Sequence, residues 1–189
     1  MVVGDVSGHG LSSALIMATA RALIMLRYSM PGEAADIINE VNRYLSLDTA
    51  QTGNFMTFFY CELTPRETEV RWVRAGHEPA LVYVPSSDAF DELKGHGLAL
   101  GLDETFEYDS FHRRMEPGQV IMIGTDGIWE MRNQSNEMFG KKALMEIIRN
   151  NQTASSRQIV DSITEALEQF RGDETPEDDI TLVVIKVDL

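Results

Sequence analysis

The sequence predicts an α+β fold, and two observations carry that prediction. Helical patterns come first and return late, with a run of short strands between them, and this order does not alternate strand with helix as a parallel sheet would. Several of the middle strands alternate apolar with charged residues, as antiparallel strands with one solvated face do.

The elements follow in order. Val2-Val3 reads as a strand that feeds Asp5. Gly8-His9-Gly10 then turns the chain, with glycines suited to the backbone angles needed there. Leu11 to about Ser29 reads as a helix that is apolar nearly all round, so it is expected to be buried. Pro31-Gly32 breaks it, and Glu33 to Leu47 forms a second helix with Ala34, Ile37, Ile38, Val41 and Leu45 on one stripe. Phe55 to Glu62 is an aromatic-rich core strand closed by a turn at Thr64-Pro65. Glu69 to Arg74 alternates, Ala80 to Val84 follows, and Pro85 to Asp88 makes a polar tip. Phe106 to Arg113 is a further alternating strand, and Pro117-Gly118 turns into the apolar strand Gln119 to Gly124. Lys141 to Arg149 is a helix with Leu144, Ile147 and Ile148 on one side. Ser155 or Ser156 can cap another helix running to about Gln169, with Ile159, Ile163, Ala166, Leu167 and Phe170 as its apolar face. Gly172 to Glu177 is a loop, and Ile180 to Val187 is the last strand.

Composition bounds the function. The 189 residues suit one domain, 1–189, with a proper core. A net charge of −14 lacks the basic footprint that nucleic acid or an anionic membrane surface demands. The single cysteine, Cys61, lies in an apolar strand and reads as a buried, inert thiol, compatible with a reducing cytoplasm. Leu11 to Ala20 ends in Ala-Thr-Ala, yet no Lys or Arg precedes it and Asp5 does, which is the wrong flank for a signal peptide. Arg21 and Arg27 interrupt the apolar run, so it does not read as a membrane span.

Three acidic islands sit at strand ends: Gly4-Asp5-Val6-Ser7-Gly8-His9-Gly10, Thr125-Asp126-Gly127 and Asp178-Asp179-Ile180-Thr181. Taken singly, each is ordinary turn chemistry. Taken together, they place rigidly held carboxylates where they could converge on one hard cation, which prefers oxygen ligands. His9 and His77 read as structural turn histidines, and His96 and His112 as surface residues.

In chain order, Gly-Asp-Val-Ser-Gly-His-Gly (4–10), Asn54, Phe-Met-Thr-Phe-Phe-Tyr (55–60), Ala-Gly-His-Glu-Pro (75–79), Leu-Gly-Leu (100–102), Asp126-Gly127 and Asp-Asp-Ile-Thr-Leu-Val-Val (178–184) span nearly the whole sequence. The ordered set resembles the metal-dependent protein phosphatases (the PPM, or type 2C, family), in the bacterial branch typified by SpoIIE and RsbU. The resemblance implies a four-layer α-β-β-α sandwich of two antiparallel sheets flanked by helices. It also implies a two-metal site for Mn²⁺ or Mg²⁺, with Asp5 bridging, the Val6 carbonyl on the second metal, and Asp126 and Asp178 completing the first. Asp179 then stands beside these ligands, and Ser7 occupies a place where many relatives carry His.

The implied reaction is hydrolysis of phosphoserine or phosphothreonine on a regulatory protein, typically an antagonist of an anti-sigma factor, by a phosphatase fused to a sensor or receiver domain. Relatives carry strands and a Gly-Gly-Asp motif upstream of the Asp5 strand. The sequence is therefore expected to be an N-terminally truncated piece, with part of the second metal site and a sheet edge open to pairing with a second copy as a homodimer. Two other readings stay open: a regulatory interaction module with an incomplete metal site, and an acidic cation-binding domain without turnover.

Overall fold

The computed structural model describes residues 1–64 and 68–188, so the expected turn at Thr64-Pro65 falls, at Pro65, outside the described residues. The elements are β1 (Val2–Val6), α1 (Leu11–Tyr28), α2 (Ala34–Thr49), β2 (Met56–Thr64), β3 (Glu69–Ala75), β4 (Ala80–Val84), β5 (Ala89–Leu93), β6 (Phe111–Arg114), β7 (Val120–Gly124), a single 3₁₀ turn (Asp126–Ile128), α3 (Gly140–Asn150), α4 (Ser156–Arg171) and β8 (Leu182–Lys186). All described strand pairings are antiparallel, in two four-stranded sheets ordered β1-β2-β3-β6 and β5-β4-β7-β8. The α+β class expected from the sequence is the class observed.

The chain divides into two compact units, Met1–His77 with Lys94–Arg114, and Glu78–Leu93 with Met115–Leu189. In the first unit, α2 buries the stripe that its 3.6-residue period predicts: Ala34, Ile37, Ile38, Val41 and Leu45. These residues share a core with Met56, Phe58 and Tyr60 of β2 and with Val73 and Ala75 of β3. Alternation along β2 puts Thr57, Phe59 and Cys61 on the opposite face. The loop after β3 closes tightly. Gly76 has φ +70°, and a Cβ there would lie 2.8 Å from the backbone nitrogen of Ala99.

The expected burial of the first helix is not what the structure shows. In α1 only Ser13, Ile16, Ala20 and Ile24 are buried, while Leu11, Leu15, Met17, Met25, Leu26 and Tyr28 are exposed. Apolar residues on every side leave the sequence with no stripe that marks the contact face. The structure selects the narrow Ile16-Ala20-Ile24 row, where alanine permits close approach to α2. By length and composition α1 could also cross a membrane, although Arg21 and Arg27 lie within it.

In the second unit, β7 is flanked by β4 and β8 and is buried along its whole length, which is why it reads Val-Ile-Met-Ile-Gly without alternation. Val120 and Met122 share a core with Leu81 and Tyr83 of β4, Leu144 and Ile148 of α3, and Ile159, Ile163 and Leu167 of α4. Ser155 caps α4 in a reciprocal box with Gln158, as the sequence suggested. At the edge strand β8, Lys186 donates to the carbonyls of Gln152 (2.9 Å) and Ala154 (2.6 Å), which ties the strand to the α3–α4 connection.

Two strand expectations need correction. Phe106 to Arg113 is not one strand. Residues 106–110 are irregular because Asn39 and Leu98 take their polar groups: the Tyr108 backbone N–H donates to Asn39 Oδ1 (2.7 Å) and the Tyr108 hydroxyl to the Leu98 carbonyl (2.9 Å). The strand β5, with its exposed Ala89 and Asp91, was not read from the sequence. It forms because the turn at Pro85–Asp88 folds it onto β4, with Asp88 at φ +47°.

Burial pushes the Cys61 thiol up to about 11. The native state therefore holds the proton where an unfolded thiol, near 8.5, has lost it. This contribution to stability is full below about pH 8.5 and is lost as pH rises toward the folded value. At pH 8 a chromogenic disulfide reagent should react with Cys61 at least about 100-fold more slowly in the folded protein than in urea. Equal rates would show that the thiol is not sequestered. Independently, Gly76→Ala should lower the unfolding free energy by about 1–3 kcal/mol in urea titrations, because alanine must take both the left-handed backbone and the Ala99 contact.

Candidate functional site

Asp5 lies on β1, directly opposite Thr57 of β2. Residues opposite one another in an antiparallel pair share a face, so Asp5 stands on the side of the sheet away from the Met56-Phe58-Tyr60 core. Thr57 in turn shares a 2.9 Å hydrogen bond with Nδ1 of His77, which is 3% exposed. The Arg74 guanidinium donates to the His77 carbonyl. His77 is thus the structural turn histidine the sequence suggested, fixed from two sides.

Ser7 binds the strand end that carries Asp5 and Val6 to the start of β2. Its backbone N–H donates to the Phe55 carbonyl (2.9 Å), its hydroxyl accepts from the Phe55 N–H (2.9 Å), and its carbonyl accepts from the Ser13 hydroxyl (3.0 Å). A residue read from the sequence only as a departure from the family pattern is a structural clamp. Gly8 (φ +79°) and Gly10 (φ +84°) then carry the chain into α1, as their turn chemistry predicts. His9 is exposed there, as are His96 and His112 on their own segments.

Asp126 and Asp178 come from one end of the β7–β8 ladder. The last paired residues are Gly124 and Leu182. Beyond them the backbone continues to pair, with the Thr125 N–H donating to the Thr181 carbonyl (3.1 Å). The Thr125 hydroxyl adds two bonds, donating to the Asp179 carbonyl (3.0 Å) and accepting from the Thr181 N–H (3.0 Å). Gly127 lets the two segments touch, since a Cβ there would sit 2.5 Å from the Asp179 carbonyl oxygen. Asp126 opens the 3₁₀ turn, and its carbonyl accepts from the Glu130 N–H (2.9 Å). Asp178 Oδ1 accepts from the Asp179 N–H (2.7 Å), a local turn bond that leaves further lone pairs on an exposed carboxylate.

The donor chemistry of this strand end, anionic oxygens on a tightly held backbone, fits a hard divalent cation. Among the described residues, no three His, Cys, Asp or Glu side chains form a ready-made metal cluster. Sequence reasoning took Thr125 only as part of the Thr125-Asp126-Gly127 island and missed the role of its hydroxyl, which shows only on asking what satisfies the backbone groups of a strand end 54 residues away.

Over nearly all of this chain the fold is that of the PP2C phosphatase domains. The SiaA PP2C domain of Pseudomonas aeruginosa superposes with a TM-score of 0.85 at 21% identity, covering 99% of this chain and 75% of that one. The PP2C domain of SpoIIE from Bacillus subtilis gives 0.80 at 17% identity, covering 99% and 52%. RsbX, solved in complex with magnesium, gives 0.66 at 17% identity, covering 97% and 78%.

Residues 1–188 match the family described as Stage II sporulation protein E (SpoIIE), and the chain belongs to that family. The phosphoserine phosphatase RsbU of B. subtilis is 26% identical over 98% of this chain. Protein IcfG of a Synechocystis strain is 27% identical over 98%. The chain spans 55% of the length of RsbU and 33% of that of IcfG.

Gly127→Ala should force the Asp126 and Asp178 segments apart. The expected cost is about 1–3 kcal/mol of stability, as for other overpacked sites. In the folded fraction, Mn²⁺ affinity measured by calorimetry should fall at least about tenfold. Unchanged stability and affinity would show that the close approach at Asp179 plays no part in holding the strand end.

Proposed function

We propose that this chain is the catalytic region of a metal-dependent phosphoserine/phosphothreonine protein phosphatase of bacterial signalling. The observation that carries the reading is the family match over residues 1–188, together with Asp126 and Asp178 held at one end of the β7–β8 ladder. The metal-holding roles go to Asp126 and Asp178 in the second unit, and to Asp5 and the Val6 carbonyl in the first. The cation is Mn²⁺ or Mg²⁺; magnesium is the metal found with RsbX. Residues 1–189 act as one phosphatase domain.

When bound, such a cation supplies Lewis acidity toward a phosphoryl group. The chain's own residues do the rest. Thr125 and Gly127 hold the carboxylate-bearing segments before any ligand arrives, so little reorganisation is needed when it binds. Ser7 holds the Asp5–Val6 end against β2. The strongly acidic surface, at −14 overall, disfavours anionic polymers as partners and fits a protein substrate. By the likeness to RsbU, that substrate is a phosphorylated protein of the anti-sigma factor antagonist type. A sensor or receiver domain then controls the phosphatase in the longer protein, and the location is the cytoplasm.

A second reading, a regulatory interaction module with an incomplete metal site, is favoured by the lack of a three-ligand cluster among the described residues. Asp126→Asn separates the two. The amide keeps the shape and loses the charge, so in the full-length protein Mn²⁺-dependent hydrolysis of p-nitrophenyl phosphate should fall at least about 100-fold while the circular dichroism spectrum is retained. Mn²⁺ affinity measured by calorimetry should fall in parallel. A full-length wild-type protein that turns nothing over at any Mn²⁺ concentration would favour the module instead; the chain 1–189 alone is expected to have little or no activity.

A further inference from the structure

Beside Asp178 and Gly127 the second unit opens into a cavity of about 570 Å³, lined also by Arg132, Gln134, Arg171 and Glu174. It is built from the turn that follows Asp126, the C-terminal end of α4 and the loop leading to Asp178. A phosphoryl group would fill only a small part of it. Its two guanidinium groups differ. Arg132 is engaged locally, donating to the backbone carbonyl (2.9 Å) and Oδ1 (3.2 Å) of Asn136. Arg171, the last residue of α4, has its Nε buried and with no hydrogen-bond acceptor among the described residues. Glutamates line the same cavity, yet none forms an ion pair with Arg171 among the described residues.

A basic residue in the last turn complements the helix dipole. That accounts for a charge at position 171, but not for a guanidinium on a cavity wall that makes no hydrogen bond or ion pair with any described residue; its buried Nε is closed to a ligand, so an occupant of the cavity would meet the Nη groups. Arginine also presents a planar fork matched to a carboxylate. Resting on the phosphatase reading, we propose that this cavity receives the polypeptide segment flanking the phosphorylated residue, and that Arg171 grips the carboxylate of an Asp or Glu in that segment. Arg171 is then a specificity-determining residue. The glutamates around it disfavour a uniformly acidic segment and favour one in which a single acidic residue stands among neutral or basic ones.

The test is fluorescence anisotropy in EDTA, which needs neither metal nor turnover. The probes are fluorescein-labelled phosphoserine peptides in which Glu is placed in turn at each flanking position of a Gln-containing parent. At one position Glu should bind wild-type protein about tenfold more tightly than the parent, the worth of one charge-assisted pair. Arg171→Gln should abolish that preference, and Arg171→Lys should restore part of it. The proposal is overturned if no Glu position gains in the wild type, or if the gain survives Arg171→Gln. It is equally overturned if Arg171→Gln weakens parent and Glu peptides alike, which would put the guanidinium on the phosphoryl group or on the fold. Failure of the phosphatase reading is seen separately, as absence of Mn²⁺-dependent p-nitrophenyl phosphate hydrolysis by the full-length wild-type protein.

Discussion

The pairing of β7 with β8, continued past its last ladder residues by the Thr125 side chain, is the constraint on which the described site depends. A strand end offers unpaired backbone groups, and burying them without partners is expensive. Here one hydroxyl answers both needs, as donor to the Asp179 carbonyl and acceptor from the Thr181 N–H. The result is that two acidic segments far apart in sequence are held without recourse to their own carboxylates. Apart from the local turn bond that Asp178 Oδ1 accepts from the Asp179 N–H, those carboxylates are left free of structural duty, which is what a cation-binding role requires of them.

Close approach enabled by glycine is the second recurring device. In the first unit Gly76 brings the end of β3 against Ala99, and Gly97 passes the Arg74 carbonyl so tightly that a Cβ would lie 2.0 Å from its oxygen. In the second unit Gly127 does the same against Asp179. Each contact is backbone against side-chain-free backbone, and each sits beside a residue singled out from the sequence. The geometry is specified by what is missing at Cβ, so it tolerates wide change elsewhere. A TM-score of 0.85 at 21% identity is consistent with that economy.

Most of the elements were legible in the sequence because their burial patterns are periodic. The α2 stripe, the fully apolar β7 and the Ser155 cap each declare themselves within a few residues. Where the pattern loses its contrast, the reading failed. Helix α1 is apolar on all sides, so nothing local distinguishes Ile16, Ala20 and Ile24 from the exposed Leu11, Leu15 and Met25. Strand β5 is short and solvated, and only its ladder with β4 defines it. The Tyr108 segment looks like a strand but gives its hydrogen bonds to Asn39 and Leu98, partners no local window contains. At the site the acidic islands could be read directly, since Asp at a strand end is a local signal. The Thr125 latch could not, because it is a property of two distant segments.

The order of the strands along the chain also has a temporal side. Of the described strands β8 is the last to leave the ribosome, after the other described elements of the second unit, yet its partner β7 is central to that sheet. Until β8 emerges, β7 has one bare flank, the Thr125 hydroxyl has nothing to hold, and Asp126 has no counterpart from the Asp178 segment. A nascent or proteolytically shortened chain ending before residue 178 would therefore carry a helix-backed sheet with an open side and only half of its acidic strand end. Completion of the second sheet and the meeting of its two acidic segments therefore wait on the same stretch of chain.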